Sequence, residues 1–288
     1  MIRLRHVLHP IRSAKHLYQQ VGTRTLRAQA ERTLSGMQRG RQDTCWCGGR
    51  LDEFAQNPKY GQCKECQGYV NRFPPLPEDL GRLYSFGFYW NILQRHRGHP
   101  TIKERTEFDR SDGRLEYWLQ VFERHAPARG TVLEVGCAHG VLLGELDRRG
   151  YKCIGVEVDK KTVSWTAEKT GLDIRRGVFP DMELPSCDVF LCFDVLEHSL
   201  DPVKFLRRAT QILSPGGVAI IQSPIEYEKR NPPFAEMCEK TFDDSQHVFI
   251  LSRKGIHLLA AMTGFEVVAE DSWRIGHEIA VLRKVITT

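Results

Sequence analysis

Between Leu133 and Gly140 the chain reads Leu133-Glu134-Val135-Gly136-Cys137-Ala138-His139-Gly140, an apolar run that breaks into glycines. Twenty-one residues beyond Gly136, the acidic Glu157 ends a second apolar stretch, Cys153-Ile154-Gly155-Val156-Glu157-Val158. This order predicts a buried strand, a tight glycine turn opening a helix, and a second strand carrying a carboxylate at its end. Such a βαβ unit holds a nucleoside: the glycines let the backbone approach the ligand, and the carboxylate accepts hydrogen bonds from ribose hydroxyls.

The spacing narrows the ligand. A dinucleotide loop reads G-x-G-x-x-G, whereas Gly136 and Gly140 stand as G-x-x-x-G, and no G-x-x-x-x-G-K-[ST] occurs to cradle a triphosphate. No G-x-S-x-G elbow supports a Ser/His/Asp hydrolase either.

With Glu134 two residues before the first glycine, the loop resembles the first motif of class I S-adenosylmethionine-dependent methyltransferases, with Ala138 in place of the middle glycine. Further stretches continue the resemblance in order. Asp188-Val189-Phe190-Leu191-Cys192-Phe193-Asp194-Val195-Leu196-Glu197-His198 is similar to the fourth strand and its ending. Asp201-Pro202 starts a helix that runs to Leu213-Ser214-Pro215-Gly216-Gly217, which resembles the turn before the fifth strand, Val218 to Gln222. Gln246 to Ser252 then precedes a helix ending near Gly264-Phe265. The resemblance covers residues 110 to 285 and implies an α/β fold: a doubly wound, seven-stranded Rossmann-like sheet. Its expected last strands are Phe265 to Glu270 and an antiparallel edge strand, Glu278 to Val285.

The resemblance also implies site residues. The loop Gly136 to Gly140, with Glu134 and Cys137, would lie against the methionine part of S-adenosylmethionine, and Glu157 with Val158 against the ribose. Gly177-Val178-Phe179 would meet adenine, with Phe193 and Asp194 closing that side. Val178 stands where an acidic residue is usual, which leaves the adenine amine to the backbone or to Asp181. Two histidines compete as general base, His198 after the fourth strand and His247 in an insertion over 231–252. Asp243 and Asp244 are candidate orienting partners for His247, and Gln246 replaces the glutamate of a Glu-His pair. Glu226 and Tyr227 are expected on the acceptor side. His139 is read as a shape-filling or cofactor-carboxylate contact.

Ahead of this lie Cys45-Trp46-Cys47-Gly48-Gly49 and Cys63-Lys64-Glu65-Cys66-Gln67-Gly68. Two cysteine pairs, each followed by glycine, suit two turns converging on one tetrahedral Zn2+, and disulfides are the alternative. A closed four-cysteine site has no open position for substrate, so such a zinc is structural. The other five cysteines, Cys137, Cys153, Cys187, Cys192 and Cys238, are scattered singly, and several fall in expected core strands. A zinc ribbon ahead of such a domain resembles methyltransferases of deoxysugar and surface-polysaccharide biosynthesis. In those enzymes an aromatic segment like Leu83 to Trp90 follows the ribbon. Tyr84, Phe88, Tyr89 and Trp90 either stack on a sugar or form the seam between modules. Phe73 to Pro77 reads as a linker.

The net charge of +5 is uneven. The first 42 residues hold nine Arg or Lys against Glu31 alone, so the remainder is about −3 and is no polyanion binder; no nucleic-acid partner is expected. Residues 2 to 34 read as one or two amphipathic helices. These dock on a membrane surface or a partner, serve as a transit peptide, or pack on their own body or a second subunit. No apolar run nears the ~20 residues that cross a bilayer. No signal peptide is evident, and a cytoplasmic protein, peripheral to a membrane at most, is expected.

The expected division is a basic segment (1–42), a ribbon (43–72), an aromatic linker with a helical cap (73–125) and the catalytic domain (126–288). The expected activity is methyl transfer from S-adenosylmethionine to a hydroxyl, less readily a carbon, of a sugar or glycan precursor. The alternatives are an O- or N-methyltransferase of secondary metabolism or quinone type, and a non-catalytic cofactor-binding subunit of an assembly or homo-oligomer.

Overall fold

The computed structural model describes residues 24–227, 241–274 and 276–286. The sequence readings placed on residues 1–23, on Cys238 and on most of the 231–252 insertion's first half lie outside them. Residues 24–35 are helical (α1), and Ala30 and the following Met37 pack against Leu83, Phe88 and Leu93 of the same chain. Strands β1 (Leu51–Glu53), β2 (Tyr60–Cys63) and β3 (Tyr69–Asn71) form an antiparallel meander around the cysteines.

The proline run after β3 is no free linker. Gly40 and Gln42 donate backbone hydrogen bonds to the carbonyls of Pro74 and Arg72, and Leu76 donates to Gln38. Pro77 then opens α2 (Pro77–Leu83), where its missing N–H costs nothing. A π-helix (Phe86–Gln94) follows, and α3 (Ile102–Ser111) begins with a capping box between Thr101 and Glu104. The amphipathic α4 (Arg114–His125) completes the cap.

Strands β4 (Thr131–Val135), β5 (Lys152–Glu157), β6 (Asp173–Arg176), β7 (Cys187–Phe193) and β8 (Leu213–Ser223) are parallel, linked by α5 (Val141–Arg148), α6 (Lys160–Thr170) and α7 (Pro202–Ile212). The central strands β4 and β7 are apolar almost throughout, because helices cover both faces. One face buries Leu119, Phe122, Leu142 and Leu146 from α4 and α5. The other buries Phe205, Leu206 and Ala209 from α7. Asp201 caps α7 by accepting from the Lys204 amide at 2.9 Å.

After β8 come β9 (Ile225–Glu226), β10 (Phe249–Ser252), α8 (Arg253–Met262), β11 (Phe265–Arg274) and β12 (His277–Lys284). The large sheet has the order β11-β12-β8-β7-β4-β5-β6. This is the expected seven-stranded, doubly wound fold, with one correction. The antiparallel β12 lies between β8 and β11, and the edge is β11. Ile279 to Leu282 explain the placement: four consecutive apolar residues need cover on both faces, whereas β11 alternates buried and exposed positions.

A second sheet, β1-β2-β3-β10-β9, joins the cysteine-bearing meander to the catalytic domain. Val70 and Tyr69 of β3 pair with Phe249 and Ile250 of β10. The N-terminal strands therefore share a sheet with β9 and β10.

Candidate functional site

The chain winds outward from β4 through β5 to β6, and in the opposite direction through β7 and β8. The crevice between the carboxyl ends of β4 and β7 is where such sheets bind ligands. A cavity of about 1260 Å³ opens there.

One end is built on the glycine loop. Gly136 adopts φ +71°, and a Cβ there would come within 2.3 Å of Val195, so only glycine fits. Ala138 is also left-handed at φ 46°, held by its backbone N–H donating to Glu157 Oε1 at 2.9 Å and by Thr166 Oγ1 donating to its carbonyl at 2.5 Å. Such strain persists only where the surroundings enforce it. Glu157 also accepts from the Val158 amide at 3.0 Å. Burial pushes its carboxyl up to about 7 despite those two amides. Glu134 is pushed up to about 8 by burial and by the charge of Glu157, and its Oε2 has no hydrogen-bond partner.

Above the loop, α3 and α4 supply a charged roof. Asp109 is fully buried, 3.1 Å from Arg105 Nε and 3.2 Å from His139 Nε2, with Arg114 Nε at 3.9 Å. Burial would raise the Asp109 carboxyl, but His139 and the two arginines hold it below its ordinary value. Burial lowers the His139 imidazole, which leaves a neutral ring beside an ionised carboxylate. Asp194, also left-handed at φ 55°, accepts from Gln222 Nε2 at 2.9 Å and lies 3.3 Å from His277 Nδ1. Burial opposes its ionisation, and His277 and Arg114 outweigh burial, so the carboxyl sits well below the usual range. Trp118 stacks on Phe193 with centroids 4.8 Å apart and donates to Gln222 Oε1 at 2.8 Å.

The other end is built on histidines. The rings of His198 and His247 lie 5.0 Å apart, and Tyr84 lies 5.5 Å from His198. His198 Nδ1 is 3.1 Å from the Gln246 carbonyl and His247 Nδ1 is 2.6 Å from the Thr241 carbonyl. A carbonyl only accepts, so both rings carry their proton on Nδ1 and keep a lone pair on Nε2. Burial and the neighbouring His247 push His198 down to about 3, and burial lowers His247 against the pull of Asp243. Glu197 accepts from Ser223 Oγ at 2.9 Å, and burial with the Asp194 charge pushes it up to about 8.

The loop carrying His247 is held by the N-terminal strands. Tyr60 Oη donates to the His247 carbonyl at 2.9 Å, and Asn71 Nδ2 donates to the same carbonyl at 3.1 Å and to that of Asp244 at 3.0 Å. Lys59 pairs with the Asp244 carboxylate at 2.9 Å. Phe242 sits among Phe54, Tyr60 and Tyr69. The Val248 amide donates to the Glu197 carbonyl at 2.8 Å, tying both histidine segments together.

Further out, Cys45 and Cys66 Sγ lie 3.6 Å apart and Cys47 and Cys63 Sγ 3.5 Å apart. All four sulfurs are within 4.8 Å of one another. Disulfide sulfurs sit ~2.05 Å apart. Four thiolates ~2.3 Å from one ion lie about 3.8 Å apart, so the cluster fits a tetrahedral metal and not a pair of disulfides. A Cβ on Gly49 would fall 2.5 Å from Cys63 Sγ, and one on Gly68 2.7 Å from the Ile250 carbonyl. Both glycines are required by close packing.

A family profile described as "Methyltransferase domain" matches residues 108–270, more than half of the chain. The chain belongs to this methyltransferase family. A Mycolicibacterium smegmatis protein named as an S-adenosylmethionine-dependent methyltransferase is 35% identical over 120 residues, 38% of this chain and 46% of that protein. A ubiquinone biosynthesis O-methyltransferase of Paramagnetospirillum magneticum is 31% identical over 155 residues, 49% of this chain and 60% of that protein. The chain thus spans about half the length of the curated relatives it matches. Among solved structures, the methyltransferase bound to the Trm112 activator of Haloferax volcanii shares the fold at TM-score 0.54 and 18% identity, covering 64% of this chain and 95% of that one. A Nostoc punctiforme protein assigned as an O-methyltransferase does so at TM-score 0.52 and 15% identity, covering 60% and 56%. This is an S-adenosylmethionine-dependent methyltransferase fold with a cysteine-bearing extension.

Of the residues read from the sequence, Glu134, Gly136, Cys137, Glu157, Val158, Val178, Phe179, Phe193, Asp194, Tyr89, His198 and His247 all line the cavity of this methyltransferase. Gly140 stands just behind it, turning the chain into α5 at φ +67°. Two acceptor-side readings need correction. Glu226 accepts from Tyr69 Oη at 3.2 Å on β9, and Tyr227 Oη donates to the Ile279 carbonyl at 2.6 Å; neither lines the cavity. After the turn at Pro224, β9 pairs with β10. Asp181 lines the cavity but pairs with Lys204. The aromatic segment divides: Tyr84, Tyr89 and Trp90 line the cavity, while Leu83 and Phe88 form the seam with α1.

Sequence reading missed Asp109, Arg105, Arg114, Gln222 and His277, which come from α3, α4, β8 and β12 and form no motif. It also gave no role to Glu197, although a glutamate between Leu196 and His198 at the end of an apolar strand was a signal of a buried carboxylate.

Proposed function

We propose that this methyltransferase moves the methyl group of S-adenosylmethionine onto a hydroxyl oxygen of a small polar acceptor. The observation that carries the reading is one continuous cavity with the glycine loop and Glu157 at one end and the paired Nε2 lone pairs of His198 and His247 at the other. Glu157 suits the two ribose hydroxyls, since its oxygens already sit on backbone amides that fix the carboxylate. Val178 and Phe179 flank the adenine, with Phe193 and Asp194 closing the pocket and Cys137 and the Gly136 turn beneath the methionine chain. Glu134, whose Oε2 lacks a hydrogen-bond partner, suits the methionyl ammonium.

The donor's sulfonium already activates the methyl carbon, so the protein's work is alignment and removal of the acceptor proton. Alignment alone supplies several kcal/mol. The acceptor hydroxyl faces His198 and His247 and gives up its proton at that wall. Its oxygen bonds to the methyl carbon as the S–C electron pair returns to sulfur. Tyr89, Trp90, Gln94, Arg97 and Gln246 surround the acceptor with aromatic faces and hydrogen-bonding groups, the mixture that suits a sugar or glycan precursor. A phenolic acceptor is the second reading, favoured by the O-methyltransferase names of several relatives.

Cys45, Cys47, Cys63 and Cys66 hold a structural Zn2+ in this reading, which folds a meander too small for a core of its own. The chain's own contribution is the brace from Tyr60 and Asn71 to the His247 loop.

The test is methyl transfer from labelled S-adenosylmethionine to a panel of sugar nucleotides and of phenols, beside calorimetry with the donor alone. Transfer to a sugar hydroxyl supports the leading reading, and transfer only to phenols supports the second. Donor binding with no transfer to either panel favours an assembly subunit. Absence of donor binding by the zinc-loaded protein overturns all three.

A further inference from the structure

At the histidine end, one buried carboxyl has no cationic side chain beside it. Asp194 is answered by His277 and Arg114, Asp109 by Arg105, and Asp243 by Arg97. Glu197, buried to 1% exposure, has a hydroxyl and backbone for neighbours, and among the described residues no lysine or arginine pairs with it. A carboxyl this buried ionises readily only beside a cation, which a metal ion would supply. The two imidazoles beside it are held by carbonyls that take their Nδ1 protons, as in histidines that bind metals through Nε2. One ligand atom from each of Glu197, His198 and His247 lies within 4.8 Å of the others. Three donors 2.0 to 2.2 Å from one ion sit about 3 to 3.8 Å apart, so the ligand atoms draw together by about 1 Å on binding. Gln246, which lines the same cavity at 4% exposure, keeps its side-chain Oε1 without a partner and adds a neutral oxygen to the site.

We propose that Glu197, His198 and His247 bind a divalent transition-metal cation that holds the acceptor oxygen for methylation. Two imidazoles and one carboxylate leave open positions on such an ion. The inference rests on the preceding reading only in placing the acceptor oxygen at this wall. The acceptor hydroxyl gives a lone pair to the cation, its O–H bond breaks, and the proton passes to bulk water, because a bound cation lowers the pKa of a coordinated oxygen. The oxyanion then attacks the methyl carbon; the O–C bond forms and the S–C pair returns to sulfur as a neutral thioether. The cation is unchanged. This site is separate from the four-cysteine cluster and differs from it in donor type: the thiolates there prefer a soft ion, whereas nitrogen and oxygen donors also accept Mn2+.

Mn2+ is therefore the probe. The full chain holding one equivalent of Zn2+ is titrated with Mn2+ and followed by electron paramagnetic resonance, with zinc content measured throughout. One Mn2+ per chain is expected, with nitrogen couplings from two imidazoles in pulsed spectra. His247→Ala and Glu197→Gln should each weaken Mn2+ binding at least tenfold while zinc content and S-adenosylmethionine affinity stay unchanged. The wild-type nitrogen couplings keep the test decisive if either variant fails to fold. No Mn2+ binding, or Mn2+ bound without two nitrogen couplings, overturns the proposal. Donor affinity intact in that result leaves the transferase reading standing, whereas its loss removes that reading separately.

Discussion

The two ends of the cavity are built in different ways. At the glycine-loop end, Glu134, Gly136, Ala138 and Glu157 belong to one strand–turn–helix–strand unit, and neighbouring amides and strands hold them in place. At the histidine end, His198 and His247 are 49 positions apart in the chain, and the loop of His247 is held by Tyr60, Asn71 and Lys59 from the N-terminal meander. One end is a local solution that a single βαβ unit supplies. The other is assembled across the chain, and its geometry depends on a sheet shared with a cysteine cluster. The contrast teaches that damage to the N-terminal strands should disable acceptor chemistry while sparing the cofactor.

The sharpest way to break this contrast is Cys66→Ser. Loss of one of four thiolates should abolish the proposed zinc binding, unfold the meander and reduce methyl transfer by roughly 100-fold or more, with S-adenosylmethionine affinity changed by less than about threefold. Metal analysis, turnover and calorimetry on one preparation check it. Equal loss at both ends would mean that they are not independent.

Glu157→Gln is the reciprocal change. A charged acceptor contributes about 1.5 to 3 kcal/mol per hydrogen bond, so removing the charge should weaken donor binding by roughly 30-fold or more. Zinc content and the melting of the meander should not move.

A pH series sharpens the same point. The Glu157 carboxyl is raised by burial to about 7. With a folded pKa above the unfolded value, its protonated form favours the fold, and that contribution fades as pH rises through about 7. Donor binding needs the ionised form, so affinity should rise about tenfold from pH 6 to pH 8 with proton release. Glu157→Gln should flatten the profile. A flat wild-type profile would remove Glu157 from the ribose contact.

The smallest expected effect is Asn71→Ala. It strips two donors from the carbonyls of Asp244 and His247. Turnover should fall about fivefold, equivalent to ~1 kcal/mol in the barrier, and donor affinity should hold. A change confined to melting temperature would make Asn71 a stability residue only.

Much of the fold was legible because its signals are local. The apolar runs of β4, β5 and β7, the turns at Gly136 and Gly140 and the Asp201-Pro202 helix start each carry their own propensity. Placement of β12 inside the sheet was less legible, since strand order depends on which faces find cover. Glu226 and Tyr227 lie outside the cavity for a related reason: their partners, Tyr69 and Ile279, come from distant parts of the chain.

By itself, the sequence determined the glycine turn, the carboxylate at position 157 and the four-cysteine spacing, because each depends on backbone conformation and ligand chemistry over a few residues. Only the tertiary structure decided that Asn71 and Tyr60 grip the His247 loop and that Glu197, His198 and His247 come together. Those contacts come from β3 pairing with β10, which joins residues more than 170 positions apart. Pairing over that distance is selected by the burial of whole faces, and no short stretch of chain encodes it.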